Sequence, residues 1–222
     1  MTLVEMMFAL VISVMVLGVS VGFLVEATRA TLRVQSNTQN DLTEWGIYAG
    51  ITIDTRIANG MTLYKDFNAA SFLDHTYRIT DKTSTVTNSA TRGDFLVLSQ
   101  STQDPGSSVT SYSALTGYLY TAGAPGKGTF TKFTFLVPSA EKNHDLETIL
   151  SAHYNQFVFR TVATGLDATH SDNATTGAQN RAFQYRSTVS NSGVLNLEVS
   201  TGYANVRTAD KKLIETAFFI RR

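Results

Sequence analysis

Residues 6–25 carry no charge. As a helix rising about 1.5 Å per residue, such a run crosses the roughly 30 Å hydrocarbon core of a bilayer. A helix that is apolar all round must be buried, either in lipid or among other helices. Glu5 stands at the apolar end of this run. A carboxylate at bilayer depth costs about 2.5–3.5 kcal/mol on insertion scales, so it calls for a partner. The nearest candidate is an α-amino group, on this chain or a neighbour. No Lys or Arg precedes the run, and the basic n-region of a secretory signal peptide is therefore missing.

Thr2-Leu3-Val4-Glu5 followed by an unbroken apolar helix resembles the mature N-terminus of type IV pilins and type II secretion pseudopilins. The resemblance implies a leader-cleaved chain, with Met1 where the family usually has phenylalanine. It also makes Met1, Thr2, Leu3, Val4 and Glu5 the leader-peptidase and methylation motif. Glu5 would pair with the Met1 amine of the next subunit. Each buried charge is costly alone and tolerable when paired, and such a pair would set an axial register that apolar packing leaves loose. Val14, Gly18 and Gly22 mark a second feature, a stretch rich in β-branched residues with two glycines four apart. Glycine costs about 1 kcal/mol in a helix interior and valine is a poor helix former. The stretch reads either as a patch that melts in a polymer, as the family implies, or as a small-residue packing face between membrane helices.

Beyond the apolar run, Ala27, Ala30, Val34, Trp45, Ala49, Ile53 and Ile57 recur at intervals compatible with a helix. Residues 35–40 are wholly polar, and Asn59-Gly60 is a stop signal. A helix from near Met1 to Ala58 would measure about 85 Å, too long for its own domain to bury. The segment Asp54-Thr55-Arg56-Ile57-Ala58-Asn59 also resembles the end of the long helix in larger minor pilins and pseudopilins. Trp45, Ile53 and Ile57 are the expected helix contribution to the core.

After Gly60 short alternating runs predict strands at 94–98, 130–137, 157–159, 183–185, 194–200 and 213–220. The turn Ser190-Asn191-Ser192-Gly193 predicts a hairpin between 182–189 and 194–200. A short helix is expected at 145–153, with Leu146, Ile149 and Leu150 inward. Loops are expected at 81–92, 101–113 and 165–180, and a turn at 123–128. The expected fold is α+β, a long N-terminal helix packed on an antiparallel β-sheet. Its divisions are a hydrophobic helix at 1–25, an amphipathic half at 26–60 and a β-rich head at 61–222.

Composition narrows the function. The chain has 18 basic and 18 acidic residues and no cysteine. It therefore has no basic footprint for nucleic acid, no disulfide and no thiolate metal site. His75, His144, His153 and His170 are scattered and lack a zinc-binding pattern. The oxygen-rich 167–172 stretch lacks the spacing of a known calcium loop, and Asn173-Ala174-Thr175 is a formal glycosylation sequon. No acid–base or nucleophilic set emerges, so the expectation is no enzyme, no metal and no cofactor.

The leading expectation is a structural subunit that polymerises through its N-terminal helix into a type IV pilus-like filament of identical copies. The resemblance implies the bacterial inner membrane before assembly and the cell surface after it. It also implies a prepilin peptidase and methylase and an assembly machinery as partners. A minor pilin or pseudopilin of a secretion or DNA-uptake machine is the alternative within the family. A membrane-anchored extracytoplasmic binding module is the alternative outside it.

Overall fold

The computed structural model describes residues 2–68, 72, 79–80, 91–103, 109–124, 127–168, 170–171, 180–187, 193–201 and 213–219. One helix, α1, runs Leu3–Ile57 without a break. The chain divides into two units, Met1–Leu42 and Thr43–Arg222, so the last turns of α1 belong with the sheet. The α+β arrangement expected from the sequence is present: a long apolar N-terminal helix, then an antiparallel sheet against which its end packs.

In the second unit, β1 (Gly60–Tyr64), β2 (Ile79–Thr80), β3 (Thr91–Gly93), β4 (Phe95–Gln103), β5 (Thr110–Thr121) and β6 (Gly128–Leu136) come first. Helix α2 (Leu146–His153) and β7 (Arg160–Ala168) follow, then the small pair β8 (His170–Ser171) and β9 (Asn180–Arg181). Strands β10 (Phe183–Ser187), β11 (Gly193–Thr201) and β12 (Leu213–Phe219) complete the order. The main antiparallel sheet runs β2-β1-β4-β5-β6-β7-β11-β10-β3, with β12 also on β11.

Both faces of β4 are covered. Alternate residues of a strand point to opposite faces. Leu96 and Leu98 pack with Ile47 and Ile51 of α1, Tyr118, Phe130 and Phe183. Phe95 and Val97 pack with Tyr64, Phe133 and the α2 residues Leu146, Ile149 and Leu150. Burial on both sides explains why Phe95-Leu96-Val97-Leu98 is apolar without alternation. On the α2 face, Phe133 lies across from Gly117 of β5, and a side chain there would run into its ring.

The sheet path returns on itself at Asp94, the single residue between β3 and β4. β3 pairs with β10, whereas β4 pairs with β1 and β5. The Asp94 N–H donates to Lys65 O (3.0 Å), and its carbonyl accepts the Tyr120 N–H (2.9 Å). Its carboxylate accepts the Ala182 N–H at 3.0 Å and the Arg181 guanidinium at 2.6 Å. Arg181 also reaches Asp66 at 2.5 Å. Burial pushes the Asp94 carboxyl up from the ordinary range, against the opposing pull of the Ala182 N–H and of Arg181.

Several expectations need correction. Trp45, Ile53 and Ile57 are 68%, 57% and 57% exposed, whereas Ile47 and Ile51 are buried. The helix is rotated because Ile47, Ile51 and Asp54 share one face, and Asp54 is held by the sheet. The 157–159 stretch is not a strand; Phe157 stacks on Phe133 with ring centroids 4.2 Å apart. The expected loops are shorter: Ser101, Thr102 and Gln103 end β4, Thr110 opens β5, and β7 runs on to Ala168. The hairpin is present, with Ser187 opposite Gly193. The inward α2 residues are as expected, and Glu147 is buried beside them, accepting the Tyr64 hydroxyl at 3.1 Å.

Candidate functional site

The candidate site is the first part of α1. Thr2 is non-helical and Leu3 opens the helix. The Thr2 N–H donates to Glu5 Oε2 at 2.7 Å, and the Glu5 N–H donates to Thr2 Oγ1 at 3.4 Å. This is a reciprocal capping box, which satisfies donors that a helix start leaves open. Its signature, Thr-x-x-Glu, is visible in the sequence, yet sequence reasoning looked for an α-amino partner, on this chain or a neighbour, and not for Thr2. Met1, whose amine was the expected partner of Glu5, lies outside the described residues.

From Leu3 to Val25 every large apolar side chain is exposed, from 43% at Val25 to 77% at Leu3 and Phe23. The helix is long and apolar enough to cross a membrane, and none of its most apolar stretch is buried among the described residues. Residues 14–22, including Val14, Gly18 and Gly22, are helical in the single chain. Among the described residues, a Cβ at Gly18 or Gly22 would meet nothing within 4 Å. Ser13 and Ser20 turn their hydroxyls back to Ala9 O and Val16 O, each at 2.8 Å. Their polar groups are thus satisfied within the helix, as an apolar surrounding demands.

At its other end α1 is fixed to the sheet. Asp54 Oδ2 accepts the Tyr118 hydroxyl and meets Lys132 Nζ, both at 2.5 Å. Burial first, and then the Asp54 carboxylate, push the Tyr118 hydroxyl up, so it remains a donor. Asn59 ends the helix. Its N–H donates to Ser99 O at 3.0 Å, and its Oδ1 accepts the Ser101 N–H at 2.7 Å. Its Nδ2 donates to Ser101 O. Sequence reasoning singled out 54–59 by resemblance only; the partners on β4, β5 and β6 lie far along the chain and gave no local signal.

Among the described residues the remaining candidates do not come together. His144 is exposed, and His75 lies outside the described residues, as does the sequon at 173–175. Of the 167–172 stretch, Asp167 ends up in β7 and His170 and Ser171 in β8, while Thr169 and Asp172 are outside the described residues. Among the described residues no group of His, Cys, Asp or Glu could hold a metal. The turn at 123–128 is closed by the Lys127 N–H on Ala124 O at 2.8 Å.

His153 serves the fold instead. Its Nε2 meets Glu141 Oε2 at 2.5 Å and its Nδ1 meets Gln156 Oε1 at 3.1 Å. The Glu141 hydrogen bond raises its pKa above the ordinary 6.5, against the opposing effect of burial. A raised folded-state value means that the contribution is complete below the unfolded value and is lost as pH rises through the folded one. The melting temperature is therefore expected to fall as pH rises above about 6.5, and Glu141→Gln should flatten that slope. A slope unchanged in Glu141→Gln would assign the pH dependence elsewhere.

In comparison with known proteins, the chain matches no family model, no curated protein and no solved structure.

Proposed function

We propose that this chain is the subunit of an extracellular helical filament resembling a type IV pilus, held in a membrane before assembly and polymerised through its N-terminal helix. The supporting observation is the uncovered apolar surface from Leu3 to Val25, headed by the lone carboxylate of Glu5. Lipid covers such a surface before assembly, and sister helices cover it afterwards. In the polymer, Glu5 gives up or shares its capping role to meet the N-terminal amine of a neighbour, since a buried amine and carboxylate are tolerable only together.

The capping box favours one other reading. In a plain membrane-anchored head, Glu5 needs no partner beyond Thr2. Two variants separate the readings. Thr2→Ala removes the hydroxyl that caps Glu5 and should weaken the helix start by about 0.5–2 kcal/mol, with filaments still forming. Glu5→Ala should leave membrane insertion intact and abolish filaments. Equal filament yield from Glu5→Ala and the unmodified chain would reduce Glu5 to a cap and end the register argument.

A further inference from the structure

The end of α1 places opposing demands on two adjacent residues. Asn59 acts as an extra rung of the β-ladder: it receives the Ser101 N–H at 2.7 Å and the Ser101 hydroxyl at 3.2 Å, and its amide donates to the Ser101 carbonyl. An aspartate there would offer no proton to that carbonyl. Gly60 pairs with Ser99, and a Cβ at position 60 would run into the Ser99 hydroxyl. The junction thus needs an amide side chain followed by a residue without one. That dipeptide is chemically labile, because glycine leaves its backbone nitrogen unshielded and free to rotate toward the preceding side chain. Every other asparagine of the chain precedes a larger residue.

We infer that Asn59 is a self-modification site, deamidating through a succinimide when the helix–sheet junction opens and protected while Ser101 holds its amide. The Gly60 nitrogen attacks Asn59 Cγ. The new N–Cγ bond forms as the Cγ–Nδ2 bond breaks, the Gly60 amide proton passes to solvent, and ammonia leaves. Water then opens the ring at either carbonyl, giving aspartate or isoaspartate. The net change is one water consumed and one ammonia released. The product cannot restore the junction: a carboxylate faces the Ser101 carbonyl, and isoaspartate adds a backbone carbon just before β1. Opening is then recorded irreversibly at the point where α1 joins the sheet. All of these partners lie within the second unit, so the inference holds whether or not the chain forms filaments.

The test incubates the whole chain in detergent, folded or in guanidinium, in mildly alkaline buffer, with peptide mapping by mass spectrometry. Deamidation at Asn59 is expected to lead all other sites in the denatured chain. It should be slower by about tenfold or more in the folded one, because only the open fraction reacts. Equal rates in the two states, or no preference for Asn59 in denaturant, would overturn the proposal. A second measurement uses Asn59→Asp as the product. The Ser101 amide should then exchange its hydrogen about tenfold faster than in the unmodified chain; unchanged exchange would show that the modification opens nothing.

Discussion

Arg181→Met is expected to destabilise the head by about 3–5 kcal/mol, because it strands a buried carboxylate. Asp94 is 8% exposed and Arg181 3%, so water can replace little of what the guanidinium supplies. The position adds to the effect: Asp94 is where β3 passes into β4 and where its backbone ties Lys65 to Tyr120. Losing the ion pair loosens the place where the sheet meets itself. For a unit of this size the loss corresponds to a drop of roughly 6–20 °C in melting temperature, read from the β-sheet circular dichroism of the whole chain in detergent. The double variant Arg181→Met, Asp94→Leu should recover part of the loss, since an apolar pair avoids the desolvation of both charges. A single variant that melts with the unmodified protein would show that the pair contributes nothing to closure.

A chain starting at about Glu26 is expected to be soluble, monomeric and cooperatively unfolding, and to form no fibres. The described core draws on α1 only through Ile47 and Ile51, with Ala58 packed beside them. None of the exposed apolar residues from Leu3 to Val25 belongs to it. Removing them takes away the surface that needs lipid or sister helices and leaves the sheet, α2 and the Asp54–Tyr118–Lys132 contact in place. Sedimentation and thermal melting of the shortened chain check the first three expectations, and electron microscopy checks the last. Fibres from the shortened chain would move the assembly interface to the sheet and loops.

What the sequence disclosed follows from the range of the signals. The long helix was legible because an uncharged run and a terminal Asn-Gly are local features. The hairpin of β10 and β11 was legible for the same reason, its turn lying between two alternating runs. Strand β5 was not, because Thr110-Ser111-Tyr112-Ser113 and Gly117 resemble loop chemistry; its length comes from pairing with β4 and β6. The rotation of α1 was misread because Trp45, Ile53 and Ile57 are as apolar as Ile47 and Ile51. What decides between them is Asp54 gripping Tyr118 and Lys132, residues 64 and 78 positions away (118 − 54 and 132 − 54). The closing ion pair was equally silent, with Asp94 and Arg181 separated by 87 positions. For the candidate site, Glu5 stood out through its cost in an apolar setting, and its cap on Thr2 was written in the spacing.

Electron microscopy of the whole chain, purified from the cells that make it, decides whether it polymerises. Fibres are expected, with this chain as their repeating subunit and helical segments 1–25 packed together along the axis. Single particles in detergent, with no fibre under any preparation that keeps the chain intact, would contradict polymerisation and leave a membrane-anchored head.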